Sequence, residues 1–426
     1  MPVTTRSTAP ALVPPVMTVN DDSYEFTWPG TGLAVALRQI REGRDDVTAE
    51  CLIGSTVAGD VESLWYGRLN LTSAQTRTSL AKTLAERVEF DWHAALNQVV
   101  LLAIDRWRSG DEPVNLASVA PRPGDTWLLS PYISLDGPTL LFGPGMSGKS
   151  MLALVMAYSV QTGDAIVGRA VGKPRKVLYL DWETSYETHA ERLRAIAKGR
   201  HALPPPILHQ RQVAPLASSI GAIKAQVAKN NIGLVVVDSL GMAAGGAPEE
   251  ADSALAMFRA LGMLRNVGIL CLHHPNKSQF ATGADKIFGS VYFFNASRII
   301  WQMDSKRRDE STTVARLSCH KANYRGGLPD HAVVITVRED VNGLLEQVNV
   351  TPAPLADTPE FADKVPLGAR VVEALKGGAK SKRELADELG LDAEQEHTLE
   401  SRLSELKKRG KIVLLPTGQW GLAAVS

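Results

Sequence analysis

Eight consecutive residues carry the strongest chemical signal in this chain: Gly143, Pro144, Gly145, Met146, Ser147, Gly148, Lys149 and Ser150. They follow the apolar run TLLF and open the helical stretch SMLALVMAYSV, the strand–loop–helix setting that a phosphate-binding P-loop requires. Glycines let the backbone curl so that its N–H groups converge on phosphate oxygens, and the helix N-terminus adds partial positive charge. Lys149 is placed to reach the β- and γ-phosphates, and the Ser150 hydroxyl to coordinate Mg²⁺. The chemistry expected of this segment is binding of ATP with Mg²⁺.

Three more groups end apolar runs, where strand ends meet ligands in open α/β sheets. Asp238 closes GLVVVD and suits the Mg²⁺ shell, reached through water. Asp181 and Glu183 follow KVLYL. Hydrolysis needs a base to orient the attacking water, and Glu183 suits that role. Asp181 competes with it, and the local sequence does not choose. His273 and His274 close GILCL. Consecutive strand residues point to opposite faces, so the pair does not grip one metal ion well. A single polar side chain probing the γ-phosphate fits better.

The elements that must position these groups follow from pattern. From about Thr126 to Val350, short β-rich runs alternate with helical stretches, which predicts an α/β fold with a buried, predominantly parallel sheet. Residues 1–22, rich in Pro, Ser and Thr, read as a disordered arm. Residues 23–111 read as a small α+β module, strands first and then helices capped at Ser73 and Asp91. Its aromatics Trp28, Trp65, Tyr66, Trp92 and Trp107 read as core. Linkers are expected at 112–125 and 351–366, on either side of the core at 126–350. Residues 367–426 read as three helices and a β-hairpin, the winged-helix pattern. Ser381 and Glu384 form a capping box there, and Leu399, Leu403 and Leu406 share one helix face.

At 426 residues the chain has room for roughly three domains. Lys+Arg and Asp+Glu number 46 each, so any nucleic-acid contact must come from local patches and not from a global basic field. Cys51, Cys271 and Cys319 lie far apart with no CxxC pair, which argues against a disulfide framework or structural zinc and for a reducing, cytoplasmic setting. No apolar run approaches the ~20 residues of a membrane span.

The P-loop, YLDWE, VVVDSLGMAAGG, LHHPNK and KANYRGG together resemble the plasmid replication helicase RepA branch of the RecA-like ATPases, over roughly Leu128 to Val350. That resemblance implies a RecA-type core of strand order 5-1-4-3-2 and assembly into homo-oligomeric rings, commonly hexamers. It implies that Glu183 is the catalytic glutamate and Asp238 the Walker B aspartate. His274 is implied to sense the γ-phosphate. Lys321 and Arg325 lie where related ring helicases donate a basic residue to the neighbour's ATP site. The spacing Lys-Ala-Asn-Tyr-Arg departs from the Lys-x-Arg of those relatives, so either is the candidate finger.

The segment after His274 carries Lys277, Phe280, Lys286 and Phe288, charge and aromatics suited to phosphates and stacked bases of single-stranded DNA. Lys407, Lys408, Arg409 and Lys411 lie at the helix–wing junction. Glu394, Glu396, Glu400 and Glu405 share that last helix, so the domain suits protein docking as well as DNA. A protein partner on the N-terminal module is also allowed. The leading expectation is an ATP-driven ring motor, a helicase or translocase on single-stranded DNA. The alternatives are a DNA- or partner-bound regulatory ATPase and a recombination mediator without unwinding activity.

Overall fold

A computed structural model of the chain describes residues 12–20, 23–57, 60–110, 113–120, 126–170, 172–246, 251–274, 291–323 and 328–423. The chain divides into two units, Met1–Arg122 and Pro123–Ser426.

The first unit is a meander of five antiparallel strands in chain order: β1 (Val16–Asn20), β2 (Ser23–Trp28), β3 (Leu33–Glu42), β4 (Val47–Val57) and β5 (Asp60–Asn70). Helices α1 (Ala74–Ala85) and α2 (Trp92–Ser109) follow. Alternation in β3 and β4 sends Leu33, Val35, Leu37, Val47, Ala49, Cys51 and Ile53 to one face. There they meet Leu80, Leu84, Trp92, Leu96 and Val99 of the helices in one apolar cluster. The Ser73 hydroxyl accepts from the Thr76 N–H and the Asp91 carboxylate from the Ala94 N–H, which starts the two helices where capping residues occur.

Two expectations are corrected here. Val16–Asn20, within the stretch read as a disordered arm, is an edge strand paired antiparallel with Ser23–Thr27. Its side chains stay largely exposed apart from Met17, which packs against the apolar cluster, so backbone pairing does most of the holding and composition gave no warning. Tyr66 and Trp107, read as core, are exposed at 67% and 40%, whereas Trp28 and Trp92 are buried.

The second unit opens with β6 (Trp127–Ser130), β7 (Ile133–Ser134) and β8 (Thr139–Phe142), followed by α3 (Lys149–Thr162), β9 (Arg169–Ala170), β10 (Lys176–Asp181) and α4 (Tyr186–Gly199). Then come β11 (Leu208–Arg211), α5 (Leu216–Asn230), β12 (Ile232–Asp238), α6 (Leu240–Ala244), α7 (Ala251–Gly262) and β13 (Gly268–His273). After α8 (Val291–Ala296) the chain forms β14 (Ile299–Arg307), β15 (Thr312–Ala322), β16 (His331–Glu339) and β17 (Leu345–Ala353).

One sheet runs β11-β10-β12-β13-β8-β14-β15-β16-β17. Counting β8, β10, β12, β13 and β14 as strands 1 to 5, its centre has the order 5-1-4-3-2, all parallel. Every residue of β8, β12 and β13 is buried, because helices cover both faces. Leu141, Val236 and Leu270 pack under α3 and α4; Leu140, Val235 and Ile269 pack under α5, α6 and α7. The predominantly parallel core has an antiparallel extension, β15 to β17, that the sequence pattern did not announce.

The stretch 351–366, read as a linker, is packed structure. β17 reaches Ala353, and Leu355, Phe361 and Val365 bury against Val314 and Ala332 of the extension. Beyond it come α9 (Leu367–Ala374), α10 (Lys382–Glu388), α11 (Ala393–Lys408) and the hairpin β18 (Ile412–Leu414) and β19 (Trp420–Leu422). Val371, Leu385, Leu399, Leu403 and Ile412 form its core, and Ser381 and Glu384 make the capping box.

Candidate active site

The C-terminal ends of β8, β10, β12 and β13 bring the chemical residues together. The P-loop leaves β8 at Gly143, whose N–H donates to the His273 carbonyl at 3.3 Å. A Cβ at Gly143 would stand 2.2 Å from the Met303 carbonyl oxygen on β14, so only glycine passes there. Gly148, at φ +91°, turns the chain into α3. Lys149 is buried, and its ammonium donates to the carbonyls of Gly143 (2.9 Å) and Pro144 (2.7 Å) and to the Ser147 hydroxyl (3.4 Å). Burial pushes its pKa down to about 8, against the opposing pull of the Asp238 and Glu183 carboxylates.

This shift has a sign that can be measured. The folded pKa lies below the unfolded one, so the cost of burying the charge is fully present below pH 8. It is relieved as pH rises toward 10.5, where the unfolded chain also loses the proton. We therefore expect the nucleotide-free wild type to gain stability relative to Lys149→Met between pH 7.5 and pH 10, on the order of 2 kcal/mol after discounting for partial solvation. Denaturant unfolding of both proteins at the two pH values checks it; no change in the difference would contradict a desolvated ammonium.

Asp238 ends β12, buried beside the P-loop. It accepts a 2.7 Å hydrogen bond from the Tyr179 hydroxyl and another from the Ser150 hydroxyl. Burial raises its pKa above the usual carboxylate range, although both hydrogen bonds oppose the rise. A buried carboxylate next to a hydroxyl is a hard oxygen donor set, and it fits Mg²⁺.

Asp181 and Glu183, which the sequence left in competition, have different surroundings. Asp181 is fully buried. Its Oδ1 accepts from the N–H groups of Glu183 (2.6 Å) and Thr184 (2.7 Å), and its Oδ2 pairs with His189 Nε2 at 2.5 Å. Burial would raise its pKa, but the histidines His189 and His209 and the two backbone donors outweigh it and hold the carboxyl below the usual range. Asp181 thus shapes the turn. Glu183 stands beyond it with a side chain 40% exposed, accepting from the Ser239 hydroxyl at one oxygen and facing His274 Nε2 at 3.9 Å with the other. Glu183, Asp238 and His274 offer donor atoms within 4.8 Å of one another. Of the three, Glu183 is exposed, Asp238 buried and His274 intermediate.

His273 and His274 diverge as alternation requires. His273 is buried edge-on against Phe293, while His274 turns to Glu183. Burial and the nearby Lys149 lower the His274 pKa despite the two carboxylates, which favours the neutral imidazole. Lys321, at the end of β15, donates to the carbonyls of Phe294 (2.8 Å) and Asn295 (3.1 Å) in α8 and lies over the Phe294 ring. Its ammonium is thus occupied within its own chain. Arg325, Lys277, Phe280, Lys286 and Phe288 lie outside the described residues. Sequence reasoning missed Tyr179 and Ser239, which hold the two key carboxylates. Their only signal was adjacency, Ser239 beside Asp238 and Tyr179 two residues before Asp181 on the same strand face.

Residues 106–279 match the family model of an AAA domain, a stretch that contains the P-loop, Glu183, Asp238 and His274. That stretch is similar to AAA-type ATPase domains, which supports ATP hydrolysis. The ATPase family implies ATP as the nucleotide and usually Mg²⁺ with it, and Ser150 and Asp238 are the residues that would hold the ion. No curated protein matches the chain. Among solved structures, that of a KaiC-like protein from the hyperthermophilic archaeon Pyrococcus horikoshii OT3 shares 13% identity at a TM-score of 0.37, covering 55% of this chain and 100% of that one. That likeness is too slight to bear on function. No described helix of the chain is long and apolar enough to cross a membrane.

Proposed function

We propose that this chain is an ATP-hydrolysing, ring-forming motor on single-stranded DNA, a RepA-like replicative helicase or translocase. The observation that supports it most is the Glu183 carboxylate, gripped by Ser239 and facing His274 across from Lys149 and Asp238. In this reading Glu183 orients the attacking water and accepts its proton. Lys149 turns from the P-loop carbonyls to the β- and γ-phosphates and offsets charge there. Mg²⁺, when bound at Ser150 and Asp238, supplies further neutralisation of the phosphates. His274 ends strand 4 of the core order and leads directly into residues 275–290, which carry Lys277, Phe280, Lys286 and Phe288. Contact between His274 and Glu183 therefore links the state of the γ-phosphate to the segment suited to stacked bases.

The ring reading asks for a cation donated by a neighbour. Because the Lys321 ammonium already has two carbonyl acceptors and a ring beneath it, we assign the finger to Arg325. Mixing inactive Lys149→Ala with inactive Arg325→Ala protein is expected to restore partial ATPase activity, since each subunit completes the other's site. A dead mixture, with mixed oligomers shown by mass, would contradict a shared site.

A second reading concerns the C-terminal domain, which we take as a winged helix. Three of its cations are paired on their own surface: Lys382 with Glu400 (2.9 Å), Arg402 with Glu405 (2.5 Å) and Arg409, of the basic junction, with Glu405 (2.6 Å). Such a face is poorly disposed to phosphate and favours a protein partner, as a partner-bound regulatory ATPase would need. Strand displacement on a forked duplex separates the two readings: the motor unwinds it, the regulator does not.

A further inference from the structure

We propose that Asp181, His189 and His209 form a zinc site, separate from the ATP site and independent of the motor reading. Three elements converge on it. Asp181 and Tyr179 lie two residues apart on β10 and so share a sheet face. His209 on β11 sits opposite Tyr179 in the parallel register and stacks on its ring, with centroids 6.2 Å apart and planes inclined by 16°. His189, in the first turn of α4, reaches the same point. The donor atoms Asp181 Oδ2, His189 Nε2 and His209 Nε2 all lie within 4.8 Å of one another.

Hydrogen bonding alone leaves this cluster unsatisfied. His189 Nε2 pairs with Asp181 Oδ2, but His209 Nε2 stops 3.6 Å from the same oxygen, beyond hydrogen-bond range. His209 Nε2 and His189 Nδ1 are buried atoms with no hydrogen-bond partner. Two ligands of a tetrahedral zinc, each at about 2.0–2.1 Å, stand roughly 3.4 Å apart. The His209 spacing of 3.6 Å is close to that, and His189 Nε2, at 2.5 Å from the same oxygen, would have to draw back and give up its hydrogen bond to share the ion. The side chains of Asp181, His189 and His209 are 0%, 5% and 15% exposed, so the ion would sit largely out of water against an ionised carboxylate. Two imidazoles and one carboxylate suit zinc; Mg²⁺ and Ca²⁺ favour oxygen ligands throughout. Because Oδ1 holds the N–H groups of Glu183 and Thr184, an ion on Oδ2 would brace the turn that carries Glu183 without displacing it.

The test uses the full chain, stripped with chelator and kept in excess Mg²⁺, with Zn²⁺ and Co²⁺ as probes. One Zn²⁺ per chain should survive gel filtration, and Co²⁺ should give visible d–d bands. His209→Ala and His189→Gln should each weaken binding by more than the ~10–100-fold that outer-shell partners typically cost. His397→Ala, at an exposed histidine of α11, should leave it unchanged. Wild type that holds neither ion under excess Mg²⁺ would overturn the site, whether or not the variants fold. So would loss of the ion in His397→Ala, or full retention in folded His209→Ala.

Discussion

Lys149→Ala should lower ATP turnover by ~10²–10³-fold, the range for removing one preorganised charge-stabilising donor. The ammonium is buried at the mouth of the P-loop with its pKa depressed to about 8, so the fold already bears a cost to keep it there. A γ-phosphate in place of two neutral carbonyl acceptors restores a full charge–charge interaction, strongest where charge builds up in the transition state. Alanine removes that interaction and also the hydrogen bonds to Gly143 and Pro144 that shape the loop. Both nucleotide affinity and kcat should therefore fall. Wild-type turnover in a folded Lys149→Ala protein would remove the P-loop assignment altogether.

Glu183→Gln should slow hydrolysis by ~10²-fold or more while nucleotide and Mg²⁺ still bind, as expected when a general base loses its basicity but keeps its shape. Glutamine can still accept from Ser239, so the loop should hold. Asp181→Asn is the control. Asp181 spends its oxygens on two backbone N–H groups and His189, so its change should act through the position of Glu183 and cost less. Single-turnover rates with saturating ATP compare the two directly. A larger loss in Asp181→Asn, with Glu183→Gln nearly neutral, would mean the other carboxylate is the base.

What could be seen in the sequence follows from the range of the interactions involved. The P-loop, the strand-ending Asp238 and the Ser381 capping box are local, with partners a few residues away or in a fixed strand–helix setting. The divergence of His273 and His274 followed from strand alternation alone. The different surroundings of Glu183 and Asp181 were out of reach, because they depend on His189, His209 and Ser239, residues of other elements brought in by the sheet order. Lys321 looked free in sequence, but the end of α8 supplies carbonyls to it across the fold. The strand Val16–Asn20 and the packed stretch after Ala353 were lost for a simpler reason. Both depend on docking to a partner edge or face, which composition does not reveal.

Coupling of ATP hydrolysis at Glu183 to single-stranded DNA is tested most directly by the steady-state ATPase rate of one wild-type preparation with and without single-stranded DNA, at fixed low salt. The single strand should stimulate turnover, with no stimulation in Glu183→Gln and a weaker one by duplex of the same length. An unchanged rate across saturating single-stranded DNA, in protein that hydrolyses ATP, would contradict it.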